Sequence, residues 1–202
     1  MKSTRRKFVL AITLAITLVV ASIGIVGAYP VNYNRQAAVN YAEANANNIY
    51  TPGYAYFTVR GSGDCTNFAS QCLQAGGWKP CTTWWYDTFL HHSASWTAVI
   101  DFRNFAINSG RATEYVFSKG ATVLPYSGLI WPGDIIQMDW TNDGHWDHTA
   151  IVTKVVLDSR GYYTVHVAQH SNNIKDITLE TVKSHNPGVR FRLIHIKDTY
   201  NQ

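Results

Sequence analysis

Arg60-Gly61-Ser62-Gly63-Asp64 runs into Cys65, and Cys65, Phe68, Ala69, Cys72 and Leu73 then recur at helical spacing. A cysteine in this setting sits on the first turn of a helix. Unpaired backbone N–H groups and the helix dipole there favour the thiolate, which is the reactive form of the side chain. The glycines ahead of it let a substrate approach the backbone closely, and the next N–H groups can stabilise a developing oxyanion. The bland alternative is a small core residue at the top of an amphipathic helix, since cysteine is among the most buried residue types. Placement after a glycine-rich loop, at a helix start, favours the nucleophile. Cys72, two turns further down the same face, reads as packing.

A thiol nucleophile needs an imidazole close by in space. Of the eight histidines, His148 is the best placed, because it opens the apolar run Thr149-Ala150-Ile151-Val152 after the turn-rich Thr141-Asn142-Asp143-Gly144. A side chain at a strand start lies at the rim of a sheet, where a helix N-terminus can meet it. His91, His92, His185 and His195 lack such a setting and read as surface residues. His145 and His148 flank Asp147, which raises the question of zinc, but a third ligand at a recognisable spacing is missing; no metal and no other cofactor is expected.

Folding the chain about Asp158-Ser159-Arg160-Gly161 makes an antiparallel hairpin, in which paired residue numbers sum to about 319. Gln169, His170, Ser171 and Asn172 then come beside His148, and one of them can accept the imidazole N–H and fix its tautomer. Alternation leaves the choice open, because a slip of one residue exchanges Gln169 and Ser171 for His170 and Asn172.

The elements that must position these groups are readable in outline. Tyr33, Ala37, Tyr41 and Ala44 place a first helix over 33–46, ended by Asn47-Asn48 and Pro52-Gly53. The helix from Cys65 has Asp64 as its N-cap and Gly76-Gly77 as its stop. A third helix runs from Ser95 through Ala106 until Gly110. After Pro125 the runs 134–138, 148–157, 162–170 and 190–196 are β-branched or alternating and read as strands. Helices first and a meander of strands afterwards imply an α+β domain, helices on one side of an antiparallel sheet.

The first 28 residues read as a separate unit. A basic start, an apolar stretch over 8–26 and Val26-Gly27-Ala28 have the order of a secretory signal, with cleavage expected after Ala28; an uncleaved anchor is the alternative. Four of the 17 basic residues lie in that segment, which leaves 13 against 13 acidic ones. Nothing in that balance calls for nucleic acid. Residues 29–202 suffice for one domain with a core of its own, expected to act as a monomer, outside the cytoplasm or at the cell wall, and to meet a membrane only through the leading segment. Three cysteines are too few for a disulfide framework; a Cys72–Cys81 bridge with Cys65 free is one arrangement among several.

Asp64-Cys65-Thr66-Asn67-Phe68, the Gly133-Asp134 strand start, His148-Thr149-Ala150-Ile151-Val152 and Gln169-His170-Ser171 together resemble the putative amidase domain family, over about 33–195. That family is similar to the cell-wall peptidases and amidases of the NlpC/P60 and CHAP groups, so the resemblance implies a papain-like α+β fold. It implies a triad of Cys65, His148 and a polar residue of the next strand. His170 leads for the third place and Asn172 follows, while the CHAP-like pattern keeps Gln169. It implies an oxyanion-stabilising tyrosine upstream, Tyr54 or Tyr56. Asp64 beside the thiol and Trp146, with Trp84-Trp85, are the remaining candidates on the substrate side, although most of the seven tryptophans are more simply core. The implied activity is a secreted cysteine amidase or peptidase cutting amide bonds in peptidoglycan or a peptide. A non-catalytic peptide- or glycan-binding module is the alternative, and no wall-binding repeat is recognisable beside the domain.

Overall fold

The computed structural model describes residues 29–57, 63–117, 128–157, 159 and 161–202. The leading segment with its cleavage site, residues 60–62 of the glycine-rich loop, and Asp158 and Arg160 of the hairpin link lie outside the described residues.

The elements are β1 (Pro30–Asn32), α1 (Arg35–Asn45), α2 (Cys65–Ala75), β2 (Tyr86–Thr88), β3 (His91–His92), α3 (Ala94–Thr97), α4 (Val99–Asn108), β4 (Ala112–Val116), β5 (Ile135–Asp139), β6 (His148–Leu157), β7 (Tyr163–Gln169), β8 (Ile174–Thr178), α5 (Leu179–His185), β9 (Arg190–Ile196) and β10 (Thr199–Asn201). Six strands form one antiparallel sheet in the order β4-β9-β5-β6-β7-β8. The fold is therefore α+β with an antiparallel sheet, as the pattern of the sequence implies.

Period-two alternation divides the sheet into two faces. Ile135, Ile151, Ala168, Ile194 and Ile196 turn toward α1, α2 and α4 and join a core with Phe68, Leu73, Trp78, Trp84, Trp96 and Phe102. Ile136, Met138, Ala150, Val152, Val167 and Leu193 turn the other way, onto Leu179 and Val182 of α5. Helices thus pack on both faces, not on one. The short α5, whose Thr178 caps the Thr181 N–H at 3.1 Å, is too brief to announce itself by periodicity.

Two further differences bear on the site. The third helix is interrupted at Ala98, whose extended backbone (φ −103°, ψ 134°) separates α3 from α4. The interruption leaves the Val99 carbonyl beside β5, where the Gln137 side chain donates to it at 2.9 Å. The Gly133-Asp134 strand start is a structural hub. Gly133 has φ +88°, and a Cβ there would lie 3.1 Å from the Tyr33 hydroxyl. The buried Asp134 carboxylate binds Arg35 at 2.8 Å and the Ile196 N–H at 2.9 Å, which ties α1 to the sheet.

β1 pairs with β10, and the Asn34 N–H donates to the Gly76 carbonyl at 2.7 Å. That pairing sits at the C-terminal end of α2, the end away from Cys65. All three cysteines are unpaired, with Cys72 wholly buried.

Candidate active site

Cys65 opens α2, and the residues on either side of it are pinned by Asp64. The Asp64 side chain does not cap the helix. Its carboxylate instead accepts from the Phe57 N–H at 2.8 Å, from Asn67 Nδ2 at 2.8 Å and from His170 Nδ1 at 2.5 Å. The Asp64 N–H donates to Ser171 Oγ at 2.8 Å. With Asp64 only 1% exposed, these bonds fix the approach to the cysteine from three directions.

Cys65 is 4% exposed. Its sulfur lies 3.8 Å from Thr66 Oγ1, and that hydroxyl with the backbone of Thr66 and Thr149 favours the thiolate. Burial pushes the thiol up and outweighs those donors, and the neighbouring Asp64 charge adds to the rise. The thiolate expected at a helix start is thus not the resting form: removing the sulfur from water opposes ionisation more than the donors around it favour it.

His148 heads β6, opposite Met138. It is buried, and burial lowers its pKa to about 4, against smaller upward effects of Gln169 and Asp147. Its Nε2 is buried without a hydrogen-bond partner. The ring lies 5.4 Å from Trp140, in keeping with the face that carries Ala150 and Val152. Thr149 turns the other way, where its hydroxyl meets Thr66 of α2 at 2.9 Å, and the His148 imidazole makes no hydrogen bond to the sulfur.

The hairpin register runs through Ile151↔Ala168 and Val152↔Val167, the expected sum, with an irregularity between Val152 and Lys154. It gives the third-strand candidates different surroundings. Gln169 is buried and shares a groove with His148, its Oε1 without a hydrogen-bond partner. Asn172 is exposed in a groove of about 390 Å³ shared by His148, Gln169 and Ser171. His170 faces α2 instead. It stacks on Phe68 at 3.9 Å, with Nδ1 on Asp64 and Nε2 3.1 Å from the Asn45 carbonyl. Both ring nitrogens thus meet oxygen acceptors other than His148.

The substrate-side candidates separate in the same way. Tyr56 donates to Asn173 Oδ1 at 2.7 Å, and Tyr54 to Gln74 Oε1 at 2.6 Å, so both hydroxyls are already engaged. Trp146 lies under the guanidinium of Arg192 at 4.2 Å and of Arg190 at 5.1 Å. Trp84 is core. Cys65 opens into a cavity of about 460 Å³ walled by Phe57, Phe89, His92, Val99 and Asp147. The β2–β3 hairpin that brings Phe89 and His92 to it carries no long-range signal in the sequence, and His92 is a wall of this cavity in place of a plain surface residue.

The segment holding all of these groups matches one known family, described as "Putative amidase domain", across residues 32–194. The chain belongs to that family. It is also similar to two curated proteins of Bacillus subtilis (strain 168). One, "Uncharacterized protein YhbB", is 31% identical over 179 residues, which cover 82% of this chain and 51% of that protein. The other, "Uncharacterized protein YjcM", is 31% identical over 176 residues, 79% of this chain and 36% of that protein. The chain spans about half or less of the length of these relatives. No solved structure matches. The buried thiol at the head of α2 and the cavity that reaches it both lie within the matched segment.

Proposed function

We propose that this domain is a cysteine hydrolase of amide bonds, with a papain-like disposition of nucleophile and base, acting outside the cytoplasm on the peptide part of peptidoglycan. The observation that carries the proposal is the buried Cys65 sulfur at the head of α2, open to a cavity and linked through Thr66 and Thr149 to the strand headed by His148, whose Nε2 is buried without a partner. A buried nitrogen without a partner costs about 1–3 kcal/mol, so its persistence argues for use.

In this reading both groups rest neutral. As the thiol attacks the amide carbonyl, a C–S bond forms and the imidazole takes the thiol proton. Apo sites commonly hold such pairs loosely and close them in the substrate complex. The imidazolium returns the proton to the leaving amine as the C–N bond breaks, and water then cleaves the thioester. First-turn N–H groups of α2 serve the oxyanion. Gln169, the buried group that shares a groove with His148, takes the orienting role, while His170 serves Asp64. The leading basic and apolar segment supports export.

The test is mass analysis of fragments released from defined peptidoglycan. Wild type is expected to release products with a new amine and a new carboxylate, and Cys65→Ala none. Cleavage retained by Cys65→Ala removes the nucleophile. A second reading, a non-catalytic peptide- or glycan-binding module, draws on the neutral thiol and the unformed bond to His148. Binding of wild type to intact walls without any released fragment would establish it.

A further inference from the structure

We propose that the Cys65 sulfur terminates a one-way chain of hydrogen-bond donors that begins at the Arg192 guanidinium and runs through Gln137, Thr149 and Thr66.

The direction of each link follows from what each group can do. Arginine only donates, and Arg192 Nε reaches Gln137 Oε1 at 2.7 Å. That contact assigns the amide, with its oxygen toward Arg192 and its nitrogen away. The assignment has an independent check, because Gln137 Nε2 lies 2.9 Å from the Val99 carbonyl, which only accepts. The same nitrogen is 3.3 Å from Thr149 Oγ1. In the proposed sense the Thr149 hydroxyl gives its own proton to Thr66 Oγ1 at 2.9 Å, and Thr66 gives its proton to the sulfur at 3.8 Å.

The sheet builds this row. Gln137 is the cross-strand partner of Arg192 on β9 and of Thr149 on β6, so three neighbouring strands present one polar residue each at the same level. Thr66 completes the row from α2. Arg192, Gln137, Thr149 and Thr66 are each at most 5% exposed, so water does not compete for the links. Glu114 holds the far end, 3.2 Å from Arg192 NH1.

A buried row of donors aimed at one acceptor is best satisfied when that acceptor is an anion. Here the anion is the thiolate, which the backbone of Thr66 and Thr149 also favours. The opposing influences are burial and Asp64 on the sulfur's own loop; the other titratable groups on the cavity are His92 and Asp147. Thr66, Thr149, Gln137 and Arg192 are positioning residues that make ionisation of a buried thiol attainable.

The inference rests on Cys65 as nucleophile, but its test does not require hydrolysis. The rate of iodoacetamide labelling at Cys65 is followed by site-resolved mass spectrometry across pH, in the full chain. Thr66→Val and Thr149→Val, which keep shape and lose the hydroxyl, are expected to raise the midpoint by about one pH unit, while Thr66→Ser and Thr149→Ser hold it near wild type. Gln137→Glu, whose carboxylate accepts from Arg192 and Thr149 alike and turns the row around, is expected to raise it too. An unchanged midpoint in both valine variants, or equal shifts in the serine variants, overturns the proposal. Cleavage by Cys65→Ala would instead sink the nucleophile reading, and the labelling titration would still report on the row.

Discussion

His170 Nδ1 lies 2.5 Å from Asp64 Oδ2, and both side chains are buried. The pair joins the end of β7 to the residue before the cysteine, and His170 Nε2 continues to the Asn45 carbonyl at the end of α1. Both ring nitrogens thus meet oxygen atoms, and the ring braces β7 against α1 and the start of α2.

Removing the carboxylate leaves the buried His170 Nδ1 without its partner. Asp64→Ala, which also strands the Phe57 N–H and the Asn67 amide, is expected to lower unfolding free energy by roughly 3–5 kcal/mol. Urea denaturation measures the loss; a midpoint close to wild type would count against the brace.

His148 is expected to separate activity from stability. Deleting a buried ring whose Nε2 bonds nothing removes little that holds the fold. His148→Ala should therefore reduce peptidoglycan cleavage by at least about 1,000-fold with a stability loss under about 2 kcal/mol. His92→Ala, on the cavity wall, should retain measurable turnover. The reverse ranking in a turnover assay would transfer the base role to His92.

The same residue predicts a pH dependence of stability. Its pKa falls from an ordinary 6.5 to about 4 in the fold, so the unfolded chain binds the proton first as pH drops. The contribution is present in full above 6.5 and is lost as pH falls through the window down to about 4, for up to about 3 kcal/mol. Unfolding free energy measured from pH 7 to 4 should decline less steeply in His148→Gln. Parallel curves for the two proteins would refute the assignment.

Gly63 offers a steric test. A Cβ there would stand 2.8 Å from Ser171 Oγ and 3.9 Å from the Cys65 sulfur. Gly63→Ala is expected to lower turnover roughly tenfold by displacing the hydroxyl that accepts from the Asp64 N–H. Ser171→Gly in the same chain removes that hydroxyl at a residue with φ +68°, where glycine is at ease, and should restore part of the activity. A double variant no better than Gly63→Ala would show that the clash lies elsewhere.

How much of this was legible in the residues varies with the range of the interaction. The helix from Cys65, the strand from His148 and the hairpin register near the site follow from local periodicity, and they appear at Cys65–Ala75, His148–Leu157 and Ile151↔Ala168. The interruption at Ala98 did not follow, because no proline or glycine marks it; the Val99 carbonyl instead meets Gln137, 38 residues away in the chain. Strands β4 and β8 lie at the two edges of the sheet, where one-sided contact blurs alternation. The fate of Gln169 and His170 was open because adjacent residues face opposite sides, and only the bulged register decides which one shares a groove with His148. Asn67 stands in the motif that carries the family resemblance, but no role for it was readable there. Its three bonds, to Ala55, Asp64 and Trp96, form only once α2 is packed.

The pairing of β1 with β10 has a geometric corollary. Both strands gather beside Gly76, at the tail of an 11-residue helix whose head is Cys65, so roughly 15 Å of helix separates them from the thiol. Any tether or companion module joined before residue 29 or after residue 202 departs from that one corner. The described chain thus enters and leaves the domain on the side away from the sulfur.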